Sequence, residues 1–87
     1  MHIEAPTIIK VAADSRTTAV AGAIAGMVRD GRMPVLRAIG AAAVNQAVKA
    51  VAIARGYLKP AGVDIAHVPS STELESDRRT GPPSDWR

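Results

Sequence analysis

The segment spanning residues 35–58, VLRAIGAAAVNQAVKAVAIARGYL, constrains the fold more than any other part of the chain. Its first five residues read as a short buried strand, 35–39. Gly40 lets the chain turn sharply, because a residue without Cβ reaches backbone conformations closed to others. An alanine-rich helix over 41–55 follows, with Gly56 placed as the left-handed residue just past its end. On that helix Val44, Val48 and Val51 share one face. Ala43, Ala47, Ala50 and Ala54 form a small-residue flank suited to tight packing, and Asn45, Gln46 and Lys49 lie on a polar stripe. The chain has no phenylalanine, one tyrosine and one tryptophan in 87 residues. Its core must therefore come from Val, Ile, Leu, Met and Ala, each burying less area than an aromatic ring. Oligomerisation is a natural way for so small a domain to bury more.

The rest of the chain reads as cover for this unit. Thr7-Ile8-Ile9-Lys10-Val11 is short and β-branched, as expected of a first strand. After a polar connection, Thr17 or Thr18 is placed to cap a helix whose apolar stripe is Val20, Ile24, Met27 and Val28. Gly22 and Gly26, four residues apart, leave a smooth groove there at a cost of roughly 1 kcal/mol each against alanine. Asp30-Gly31 and then Pro34 end that helix. A third strand is expected over 63–68, VDIAHV, after the turn Lys59-Pro60-Ala61-Gly62. The pattern is α/β, with two helices on one face of a small sheet and right-handed crossovers. From Ser70 the composition turns polar and Pro-rich. Residues 1–69 thus form the expected domain, and 70–87 a tail expected to be disordered or ordered only against a partner.

Charge and missing motifs limit the function. Net charge is +3, divided as +4 over residues 1–69 and −1 over 70–87. A mildly basic domain suits phosphate-bearing partners and equally suits a bland surface. With no cysteine there are no disulfides or thiolate metal sites. His2 and His67 are far apart, and no His, Asp and Glu cluster has metal-ligand spacing, so no metal or other cofactor is expected. Ser15 has no histidine near it in sequence, and no Walker-type loop is present, so nothing supports catalysis. Tyr57 and Trp86 are too few for a base-stacking platform. His2 and Glu4 stand where a signal peptide would be basic and then apolar, and no apolar run spans a bilayer. A soluble cytoplasmic protein is expected.

Ala38-Ile39-Gly40, followed by the unbroken run Asn45-Gln46-Ala47-Val48-Lys49-Ala50-Val51-Ala52-Ile53-Ala54-Arg55-Gly56-Tyr57, resembles the signature of the stage V sporulation protein S family. Residues 20–25, Ser15-Arg16, Pro60 and Val63-Asp64 extend the resemblance over about residues 8–69. It implies an Alba-like βαβα-β(β) domain of two layers, with the helices on one face of a small mixed sheet. It also implies a dimeric nucleic-acid-binding or regulatory role linked to sporulation. The chain departs from the family pattern in the loop before the first helix, with Asp14 in place of Lys and Thr17-Thr18-Ala19 in place of Pro-Asn-Ser. It departs again after Arg79-Thr80, where the family's last strand meets Gly81-Pro82-Pro83-Ser84. That strand is degenerate or missing, so the third strand moves in, a partner chain supplies an edge, or the domain is poorly stable.

The candidate nucleic-acid-binding residues are Arg16, Arg37, Gly40, Asn45, Gln46 and Lys49. Long basic side chains and amides suit phosphate and sugar oxygens, and Gly40 begins a helix whose free N–H groups face outward. The bland alternatives are a tight turn at Gly40, a solvated face, or a polar seam at a dimer interface. The seam is preferred for Asn45 and Gln46, and nucleic acid for Arg16. Arg55 and Lys59 are explained by the negative end of their helix, and Arg29 and Arg32 by solvation. Arg78-Arg79 reads as part of a charged tail. Two classes of function follow: a dimeric binder of DNA or RNA backbone with weak sequence preference, or a self-associating protein-interaction module without nucleic acid.

Overall fold

The structure, a computed structural model, describes residues 7–71. Strand β1 (Thr7–Val11) leads through a tight loop into helix α1 (Thr17–Arg29), then strand β2 (Pro34–Ala38) and helix α2 (Ala41–Leu58). A single 3-10 turn, Lys59–Ala61, is the last element among the described residues. The two strands pair in parallel, Thr7 opposite Pro34 through to Val11 opposite Ala38. Parallel neighbours need a long crossover, and α1 supplies it. Pro34 is tolerated because it opens the strand: the Thr7 N–H reaches the Met33 carbonyl at 3.0 Å, so no proline donor is needed there.

Alternation divides the sheet into two faces. Ile9, Val11, Leu36 and Ala38 point to the helices and join the core around Val20, Ala21, Ile24, Ala50 and Ala54. Ile8, Lys10, Val35 and Arg37 point the other way and are exposed. Both helices therefore lie over one face of the sheet, in the expected two-layer arrangement.

Three local expectations are corrected. Neither Thr17 nor Thr18 caps α1: the N-cap residue is Arg16, in extended conformation, with no side-chain cap. The loop is instead tied by Ser15, whose Oγ accepts the Ala12 N–H at 2.8 Å, while the Ser15 N–H donates to the Ala12 carbonyl at 3.0 Å. Nor does Gly56 end α2. The helix runs on to Leu58, which is fully buried, and the left-handed residue is Gly62 (φ 75°, ψ 20°). A helical glycine costs about 1 kcal/mol, whereas burying a leucine gains about 1.5–3 kcal/mol. Leu58 outweighs Gly56.

The third correction concerns residues 63–68, which pair with no described strand, so the described sheet has two parallel strands and no antiparallel member. Arg55 holds this segment against the end of α2 with two hydrogen bonds to Asp64, Nε to Oδ1 at 2.8 Å and Nη2 to Oδ2 at 3.1 Å. Only Ile65 packs on the core, while His67 and Val68 are exposed. A segment clipped to a helix end and burying one side chain has no face to offer a sheet. The family's last strand, expected after Thr80, lies outside the described residues, as does the tail from residue 72.

The helices meet through small side chains. Ala43, Ala50, Ala54 and Leu58 are the buried positions of α2, and Ala50 and Ala54 share the core cluster with Val20, Ala21 and Ile24 of α1. The valine face looks largely outward, with Val44 and Val48 exposed and Val51 half-buried against the core. Gly22 and Gly26 accommodate no close neighbour: a Cβ at either would meet nothing within 4 Å among the described residues.

Candidate nucleic-acid interface

Two hydrogen bonds fix the relative direction of the helices. Gln46 Nε2 donates to the Ser15 carbonyl at 2.8 Å, joining the first half of α2 to the residue before the α1 cap. Arg29 Nη2 donates to the Tyr57 carbonyl at 3.3 Å, joining the far ends. The helices therefore run parallel, and each starts where a strand has just finished. One end of the molecule carries the carboxyl ends of β1 and β2 and the N-termini of α1 and α2.

That end is short of negative charge. Neither helix has an acidic residue in its first turn, and neither has a side-chain cap. Among the described residues no side chain takes up their first N–H groups, and no first-turn acid offsets the positive end of either helix dipole. Over residues 7–71 the chain holds eight Lys/Arg against three Asp. Among the described residues the one ion pair joins Arg55 and Asp64, both exposed, at the opposite end of α2. The mutual hydrogen bond raises the Arg55 guanidinium above its ordinary range and holds the Asp64 carboxyl below the usual carboxylate range. The Ile65 N–H, also donating to Asp64, adds to the second effect. Asp14 is the acid nearest this basic end in sequence, exposed in the β1–α1 loop and in no ion pair among the described residues.

The six residues singled out from the sequence separate into distinct places. Arg16 is the exposed N-cap of α1 and Gly40 the N-cap of α2, so these two stand at the end just described. Gly40 has φ 94° and ψ 154°, a backbone region essentially restricted to glycine, which accounts for the residue without any ligand. Gln46 is half-buried and used in the tie to Ser15; it is a structural strut within one chain. Asn45 and Lys49 are exposed on the outer side of α2. Arg37 is exposed on the open face of the sheet, in the other layer from Lys49. Register adds a residue that sequence reasoning passed over: Lys10 stands directly opposite Arg37 on the same open face. Alternation within each strand was legible; the register that pairs them was not.

Among the described residues no group of three or more His, Cys, Asp or Glu is gathered to hold a metal ion. No described helix is long and apolar enough to cross a membrane. Residues 7–83 match the family model described as Stage V sporulation protein S (SpoVS), a wider span than the 8–69 over which the signature residues were read.

Proposed function

The chain belongs to the stage V sporulation protein S family, a family of small regulatory sporulation proteins rather than of enzymes, and from that premise we propose that it binds the phosphate backbone of nucleic acid as a homodimer. The observation that carries this reading is the shared polarity of the two helices. Uncapped N-termini without acidic first turns emerge together, beside Arg16 and at the strand ends that carry Arg37. Backbone N–H groups and long cations of this kind suit phosphate oxygens and carry no base readout, so sequence preference is weak and DNA and RNA both qualify. Lys49 and Asn45 would extend the contact along α2.

The test is a salt titration against duplex DNA and single-stranded RNA, with molar mass followed by light scattering. Three phosphate contacts per protomer, six per dimer, give a slope of log K against log salt of about −5.4 on duplex DNA. Lys49→Glu, exposed and in no described ion pair, should reduce that slope and leave the fold intact by circular dichroism. Absence of binding at low salt overturns the reading. A second reading, self-association without nucleic acid, is favoured by the exposed valines of α2, Val44 and Val48, and such association would be nearly insensitive to salt.

A further inference from the structure

Lys10 and Arg37 share an unusual setting. They are register partners on neighbouring parallel strands, on the face of the sheet away from the helices, and both are exposed. Like charges placed opposite each other across a strand pair destabilise a sheet. Nothing described relieves this pair, since neither residue makes an ion pair or a side-chain hydrogen bond among the described residues. Beside them the surface dips into an open crevice of about 450 Å³ lined by Lys10, Val11, Ala12, Ala13, Arg37 and Ile39. Two of these residues, Ala12 and Ala13, belong to the loop leaving β1, and Ile39 to the junction leaving β2. The crevice thus opens between two neighbouring strand-to-helix connections, outside the carboxyl ends of parallel strands. Both connections turn to the same face of the sheet, so the crevice lies at its carboxyl edge, with the two cations on the face left open.

We infer that this crevice is the anchoring subsite for a backbone phosphate of a polynucleotide, held between Lys10 and Arg37. An oxyanion between the two cations turns a repulsive pair into an attractive triad. Arg37 offers a planar fork that matches the two non-bridging phosphate oxygens, and Lys10 a mobile ammonium that shares one of them. Ile39, 67% exposed, and Ile8, 51% exposed, border the pair with apolar surface against which the sugar edge packs. The inference rests on the nucleic-acid reading and specifies it: the chain's first grip on the polymer is the sheet face at the strand ends, and Lys49 on α2 is peripheral to it.

Lys10→Gln and the double variant with Arg37→Gln would be compared with Lys59→Gln on a duplex DNA oligonucleotide, with thermal melts of each protein. A phosphate-contacting lysine contributes about one to the salt slope. Lys10→Gln should therefore flatten the slope by about one per bound protomer and the double variant by about two per protomer, while Lys59→Gln, at the far end of α2, changes it least. With no nucleic acid present, the two variants at the sheet face should melt no lower than the parent, because a repulsion has been removed. An unchanged slope in Lys10→Gln, with the parent binding normally, overturns the subsite and leaves the wider reading standing. Absence of salt-sensitive binding by the parent removes both. Inorganic phosphate raising the melting temperature of the parent but not of the double variant, with oligonucleotide binding equal in the two, would assign the crevice to a free anion and also overturn the proposal.

Discussion

Replacing glycine by alanine at positions 22 and 40 adds the same single carbon and should act in opposite directions. Gly22 lies inside α1 with helical backbone, is exposed, and has open space where a Cβ would stand. Alanine there loses less conformational entropy on folding, so Gly22→Ala should stabilise by about 0.5–1 kcal/mol. Gly40 also has open space around it, so a clash with neighbours is not the obstacle. The obstacle is its own backbone at φ 94°, ψ 154°. Holding a residue with a Cβ there costs on the order of 1–3 kcal/mol, a large share of the 3–5 kcal/mol that a core this small supplies. For a domain of this size each kcal/mol moves the melting temperature by roughly 4–8 °C. Thermal melts followed by far-UV circular dichroism, with urea titrations alongside, would separate the two variants by well over 5 °C on these figures. Equal melting temperatures for Gly40→Ala and the parent would show that the turn does not depend on a glycine-only conformation. A loss of stability in Gly22→Ala would show that the outer face of α1 is packed closely against another backbone.

Further consequences are open to simple measurements. Gln46→Ala removes the strut to the Ser15 carbonyl; a net loss of about 0.5–1.5 kcal/mol in urea unfolding is expected, with the β1–α1 loop exchanging its amide hydrogens faster. Asp64 has its carboxyl held below the usual range by the hydrogen bonds from Arg55 and the Ile65 N–H. A carboxylate depressed in the folded state contributes stability above its unfolded pKa and loses it as pH falls through the folded value. The acid limb of the pH–stability curve should therefore be shallower in Asp64→Asn, which starts slightly less stable at neutral pH and converges with the parent in acid; both partners are exposed, so the difference is small. Identical acid limbs in parent and variant would count against a working Arg55–Asp64 clip.

Much of the architecture could be read directly from residue order. The strand at residues 7–11, the helix ending at Asp30-Gly31 and the turn at Gly40 each rest on a local rule that nothing tertiary overrides: β-branching, a left-handed stop and a residue without Cβ. The second strand was displaced by one residue because Pro34, which reads as a breaker, is acceptable at a strand's first position. The misreadings share one cause. Gly56 reads as a stop until Leu58 is known to be buried. At residues 63–68 the β-rich composition is real, yet strand formation needs a partner edge, and Arg55 directs the segment elsewhere. For the candidate site, the individual cations were visible in the sequence. Their division between two layers, and the pairing of Lys10 with Arg37, depend on packing and register that no spacing rule encodes.

Alanine is prominent in the seam where α1 and α2 share the core: Ala21 on one helix, Ala50 and Ala54 on the other. Alanine has no rotamers to freeze, so closing this seam costs no side-chain entropy, whereas each leucine or isoleucine in its place would forfeit about 0.5–1 kcal/mol. That helps explain how a chain without phenylalanine can hold two helices together. The same economy leaves no slack. A methyl group cannot rotate aside, so even one added methylene at Ala50 must be accommodated by moving a whole helix. Such a movement would shift both helix N-termini relative to the strand ends beneath them, and damage in the seam would reach the basic end of the molecule as lost alignment before it appeared as unfolding.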